Sequence, residues 1–195
     1  MDEAPQVRLP LDLGDLLIRR VGPDDFRDLR EYWSDPEESR YQLWDASTGE
    51  QIIAALDEQA GVRAGDPGVA LILAIEFGGK VVGDCQLTVT SVGDRQAEIG
   101  FRLNPRFAGR GLATRAVAAV LGFGYVQLGL HRVEAVTDVR NERSWRLMER
   151  VGMRREGHII HGSFVRGEWV DDYLYAMLDF EWTQRNPDLV DVVAL

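Results

Sequence analysis

The stretch from Ala97 to Asp138 constrains the fold more than any other part of the chain. It alternates as a strand to Leu103, breaks at Asn104-Pro105, turns on Gly109 and Gly111, runs at helical spacing, and ends in the strand His131 to Asp138. Two strands joined through a helix imply a parallel crossover, and such crossovers are almost always right-handed. Upstream, Val69 to Phe77, Val81 to Val92 and Ala97 to Leu103 are separated only by the turn pairs Gly78-Gly79 and Gly93-Asp94. Short turns of that kind make an antiparallel meander. The expected fold is therefore α/β: a mixed, mostly antiparallel sheet with one parallel seam between its third and fourth large strands.

The flanks fit around that unit. Residues 1–15 read as an arm before the strand that opens at Leu16, residues 16–183 as one domain, and 184–195 as a tail. Pro23 can open a helix carrying Phe26, Leu29, Tyr32 and Trp33. A loop from Pro36 to Ala46 holds Tyr41 and Trp44, and Ser47 or Thr48 can cap a helix bearing Ile52, Ile53, Leu56 and Ala60. The crossover helix is expected from Gly109 to Leu128. Gly122 and Gly124 each cost it up to about 1 kcal/mol relative to alanine, so they weaken its second half or mark close packing on the sheet. Asn141 can cap a helix from Glu142 to Val151, and two strands follow, the last from about Glu168 to Trp182.

Composition narrows function. A net charge of −10 disfavours nucleic acid, whose phosphates need a basic footprint, and mildly favours a cationic substrate. One cysteine, Cys85, excludes a disulfide framework. No apolar run approaches the roughly 18 residues of a membrane span, and no basic segment followed by an apolar run opens the chain, so a cytoplasmic protein is expected.

The chemistry concentrates in Arg106-Phe107-Ala108-Gly109-Arg110-Gly111. A helix N-terminus exposes unpaired N–H groups and a partial positive charge, and glycines let an anion approach the backbone. Arg106 and Arg110 could add fork-shaped donors. A dinucleotide fingerprint would need a third glycine where Thr114 stands, and a P-loop would need Gly-Lys-Ser/Thr. On these six residues alone, a diphosphate cradle and an ordinary glycine turn are equally good readings.

Arg106-x-x-Gly109-x-Gly111 resembles the Gln/Arg-x-x-Gly-x-Gly/Ala motif of the GNAT N-acetyltransferase superfamily. Asn141-x-x-Ser144 followed by Gly152-Met153 is similar to the superfamily's fourth helix. Ala97 to Phe101, His131 to Glu134, Arg154 to Gly157 and Asp171-Asp172 resemble the RimJ/RimL-like ribosomal-protein N-terminal acetyltransferase branch. The resemblance runs from about Leu16 to Trp182. It implies an acyl-CoA N-acyltransferase fold splayed at the parallel seam, with acetyl-CoA as co-substrate and no metal. The acceptor it implies is an amine, foremost a protein or peptide N-terminus, with a polyamine or antibiotic amine as the alternative, on a monomer or homodimer.

The same resemblance distributes roles. The amides of Phe101, Arg102 and Leu103 would meet the pantetheine arm. Those from Phe107 through Leu112 and Ala113, reaching Thr114, would hold the pyrophosphate, and Asn141 would steady the arm. Glu98 would be the base. Its unperturbed pKa of about 4.3 suits an amine poorly unless burial raises it. The usual tyrosine acid is replaced by Met148, which leaves Ser144 as proton donor or relay. Trp33, Tyr41, Trp44 and Asp172 are candidates for the acceptor side, since aromatics can stack on a cation. A non-catalytic acyl-CoA-binding module is the remaining alternative. His158 and His161, three apart in a strand, are expected to face opposite sides.

Overall fold

Alternation in the sequence becomes a sheet that is buried on both faces at its centre. The computed structural model of the chain describes residues 7–194. Its strands are β1 (Leu11–Asp12), β2 (Leu16–Arg20), β3 (Ala70–Phe77), β4 (Lys80–Ser91), β5 (Gln96–Leu103), β6 (Arg132–Asp138), β7 (Arg154–Val165) and β8 (Glu168–Leu178). They form one sheet in the order β1-β2-β3-β4-β5-β6-β8-β7. All neighbours are antiparallel except β5 and β6, as expected.

The helices are α1 (Phe26–Trp33), α2 (Pro36–Ser39), α3 (Gly49–Gln59), α4 (Leu112–Gly122), α5 (Glu142–Val151), α6 (Asp179–Arg185) and α7 (Pro187–Val193). The apolar run in β3 serves both faces. Leu71, Leu73 and Ile75 belong to the core under α4 with Val117, Val120 and Ile99. Ile72 and Ala74 join Leu29, Tyr32, Ile52 and Leu56 of α1 and α3 on the opposite face. A strand covered on both sides loses the polar half of its alternation, which is why this one reads as continuously apolar.

The parallel seam has only three rungs: Gln96↔Arg132, Ala97↔Val133 and Glu98↔Glu134. Beyond Glu98, β5 stays with β4 to Leu103 and β6 stays with β8 to Asp138. The two halves of the sheet thus part like a V.

Three expectations are corrected. The crossover helix ends at Gly122 and continues as a π-helical turn, Phe123–Gln127. A Cβ on Gly122 would collide with the Trp182 ring, so this glycine marks close packing on α6 rather than on the sheet. The last strand stops at Leu178, because Glu181 accepts the Leu178 N–H at 2.8 Å and opens α6. The arm and tail are also tied to the domain. Leu11 is buried in β1, and in α7 Val193 is buried while its carbonyl accepts from Gln127 at 2.6 Å. Residues 1–6 and 195 lie outside the described residues.

Candidate active site

The V opens where β5 turns into α4, and the turn is built by Asn104. Its side-chain oxygen accepts the Arg106 N–H at 3.1 Å, and its amide donates to Glu31 at 3.1 Å. Phe107 N–H then donates to the Asn104 carbonyl at 2.9 Å and Ala108 N–H to Pro105 at 3.1 Å. Gly109 (φ +79°) and Gly111 (φ +74°) bend the chain through the left-handed region, which costs glycine nothing. The first helical bond runs from Arg115 N–H to Gly111. From Gly109 to Thr114, the N–H groups have no partner among the described residues. A row of unpaired amides at the start of α4 fits a diphosphate.

These amides form one end of a cleft of about 1050 Å³. One wall is the free edge of β5, Ile99 through Leu103. Asn104 N–H bonds the Val82 carbonyl opposite it at 2.8 Å. Antiparallel alternation therefore turns the N–H and C=O groups of Phe101 and Leu103 away from β4 and into the V. The facing wall is α5 with Val136 and Thr137 of β6. Asn141 lines the cleft and caps α5 by accepting the Ser144 N–H at 3.3 Å, and its side-chain N–H groups have no partner among the described residues. The far end is roofed by Glu37, Glu38, Arg40, Tyr41 and Gln42.

Residues 15–154 match the acetyltransferase (GNAT) domain family. The chain belongs to that family.

This acetyltransferase is 32% identical over 171 residues to the uncharacterized N-acetyltransferase YnaD of Bacillus subtilis, covering 86% of this chain and 95% of YnaD. It is similar to the crystal structure of a GNAT-family acetyltransferase from Bacillus anthracis, with a TM-score of 0.80, 29% identity, and 89% of this chain and 100% of that one covered. A spermidine N-acetyltransferase from Vibrio cholerae, solved with CoA and spermine, shares the fold at a TM-score of 0.75 and 19% identity, with 86% and 98% covered. The protein is an acetyl-CoA-dependent N-acetyltransferase.

Several of the residues expected at the donor end meet in the cleft. Phe101, Arg102, Leu103, Ala108, Gly109, Gly111, Leu112, Ala113, Thr114 and Asn141 all line it. Others do not. Arg106 reaches Glu31 at 3.4 Å, and the Arg110 guanidinium lies 5.5 Å from the Phe107 ring, so these three side chains lie outside the walls. The amides of Phe107 and Ala108 are engaged within the turn, which corrects their assignment to the pyrophosphate. The arginines that do line the cleft include Arg143, Arg146 and Arg150 on α5. Their spacing of three and four residues was legible as one helix face.

On the acceptor side, Trp33 is buried. Its indole N–H donates to Asp84 at 2.8 Å, and the Arg102 guanidinium lies 4.1 Å from its ring. Asp84 has no exposed surface and also accepts from Tyr32 at 2.9 Å and Arg102 at 3.2 Å. Trp33 is thus part of a buried polar hub behind β5, not a substrate contact. Trp44 is half exposed outside the walls. Asp172 is buried and accepts from Ser163 at 2.6 Å, while Asp171 faces the other way, toward His158 at 2.9 Å. Tyr41 does line the cleft, but Arg40 and Arg140 already lie 4.6 and 5.9 Å from its ring. An irregularity between Ile159 and Ser163 overturns the expected opposition of the histidines: the His158 ring packs on Tyr173 and the His161 ring on Trp169, two residues that share a face of β8. Among the described residues no group of three or more His, Cys, Asp or Glu is placed to hold a metal ion, and no helix is long and apolar enough to cross a membrane.

The proposed proton-handling groups separate. Ser144 and the buried Met148 both line the cleft, and the Ser144 hydroxyl has no partner among the described residues. Glu98 sits on the last parallel rung, at the closed end of the V, and is not one of the walls. Partial burial, and then the charge of Glu134 beside it, push its carboxyl above the usual range. Burial also raises Glu38, which does line the cleft, against the opposing pull of Arg143.

Proposed function

We propose that this acetyltransferase acetylates the N-terminal amine of a peptide or protein by direct transfer in a ternary complex, in the cytoplasm. One observation carries the direct route: a single continuous cleft joins the unpaired amides of α4, the open edge of β5 and the carboxylates Glu37 and Glu38. No acyl-accepting thiol interrupts it, since Cys85 is buried outside the walls. The RimJ/RimL-like motifs at Ala97–Phe101, His131–Glu134 and Arg154–Gly157 support a protein terminus as acceptor.

The residues divide the work. The amides from Gly109 to Thr114 hold the diphosphate of acetyl-CoA, and Asn141 steadies its arm. The inward N–H groups of β5 polarise the thioester carbonyl, a form of preorganised stabilisation that needs no reorganisation during reaction. The Ser144 hydroxyl donates toward the departing thiolate. Glu98 lies behind the closed end of the V, outside the cleft walls, and takes no step in the transfer.

A second reading, a small polyamine acceptor, is favoured by Glu37, Glu38 and Glu142 around the far end of the cleft. Thiol release from acetyl-CoA, measured with spermine and with peptides of varied first residue and confirmed by product mass, separates the two. Absence of thiol release with every amine would leave only a binding module.

A further inference from the structure

Two carboxylates are raised by burial near the V, and only Glu38 stands in the cleft. The short helix that carries it is fixed at both ends. Asp35 accepts the Glu37 N–H at 2.9 Å, and Arg166, from the β7–β8 turn, donates to the Ser39 carbonyl at 3.2 Å. Glu38 is therefore positioned by backbone rather than by a loose side chain. Its side chain is 26% exposed, and its ion-pair partner is Arg143 of α5, 3.6 Å away and itself 78% exposed. That contact is long and wet, so an entering ammonium group can replace it.

We propose that Glu38 is the catalytic base that deprotonates the acceptor ammonium inside the cleft, with Arg143 as the partner it releases. This rests on the acetyltransferase reading above. The carboxylate takes one proton from R–NH3+, freeing the nitrogen lone pair. The lone pair forms the N–C bond to the thioester carbonyl carbon, the C–S bond breaks, and the electron pair leaves on the thiolate sulfur. The second nitrogen proton passes to that thiolate, directly or along the Ser144 hydroxyl, and Glu38 returns its proton to water. Acetyl-CoA and the amine are the only reactants.

The charges around Glu38 set the direction of its pH response. Burial raises it, as do Asp35 and Glu37 on its own segment; Arg143 and Arg40 oppose. Glu142, beside Arg143 on α5, and Arg140, near Tyr41, complete its charged surroundings. The acidic limb of kcat/KM should thus lie above the ordinary carboxylate range.

The test measures thiol release against pH for wild type, Glu38→Gln, Glu38→Asp and Glu98→Gln, using whichever of spermine or an N-terminal alanine peptide wild type acetylates. Acetyl-CoA affinity is measured by calorimetry in parallel. Glu38→Gln should lose about 100-fold or more in kcat and lose the acidic limb, with acetyl-CoA affinity unchanged. Glu38→Asp should retain the limb at reduced kcat, which guards against a folding defect in the first variant. Glu98→Gln should keep the wild-type profile. An intact limb in Glu38→Gln, a change confined to acceptor KM, or transfer of the loss to Glu98→Gln would each overturn the assignment to Glu38 while leaving the acetyltransferase standing. Wild type inert toward every amine would instead overturn both.

Discussion

Replacing Gly111 by alanine tests the cradle where backbone geometry and chemistry meet. Gly111 caps α4 at φ +74°, and a Cβ built there meets no protein atom within 4 Å. The cost inside the protein is thus conformational rather than steric: about 1–2 kcal/mol for an L-residue in the left-handed region. At about 2–4 °C per kcal/mol for a domain of this size, the melting temperature should fall by about 2–8 °C, leaving the protein folded. The effect on the donor should be larger in proportion. Relief of the strain toward negative φ would rotate the amides of Gly109 to Gly111 away from a common point, and the new methyl would occupy the approach to them. Losing a single charge-assisted hydrogen bond, about 1.5–3 kcal/mol, already weakens acetyl-CoA by about tenfold or more. Titration calorimetry with acetyl-CoA beside a thermal melt reads both quantities. Wild-type affinity in a variant that has lost the expected stability would refute the cradle.

Asp84→Ala should leave the mostly buried Arg102 guanidinium without its carboxylate, at about 3–5 kcal/mol, and a drop in melting temperature of less than about 4 °C would contradict the hub. Gly122→Ala forces a methyl against Trp182, an overpacking cost of about 1–3 kcal/mol. In a double-mutant cycle with Trp182→Phe the two should couple, and simple additivity would show that the contact does not set the cost. For Glu98 the folded-state pKa is raised above its unfolded value, so the native state binds more protons. The stability tied to this proton is full below the unfolded value, about 4.3, and is lost as pH rises through the folded value. Glu98→Gln should therefore raise the melting temperature at pH 7 and not at pH 4, and equal shifts at both would remove Glu134 repulsion and burial as the cause.

Local sequence signals determined a large part of this protein. Alternation, glycine turns and the crossover spacing located β3 to β6, and Asn141 marked the first residue of α5 because capping and periodicity act over a few residues. The motif at Gly109 and Gly111 marked the proposed donor end for the same reason: positive φ and helix-terminal amides belong to one contiguous segment. What tertiary structure decided was the direction of side chains and the state of individual N–H groups. Trp33 looked like an acceptor-side aromatic, yet Asp84, 51 residues away, holds its indole in the interior. Arg106 and Arg110 looked like phosphate donors, but Glu31 and the Phe107 ring draw them off the cleft. Phe107 and Ala108 looked like free amides, but the Asn104 turn engages them. Glu38 drew no attention in sequence, because its role depends on α2 being placed over a cleft made by strands and helices far along the chain. Propensity is written in neighbours, whereas burial and desolvation depend on residues that only folding brings together.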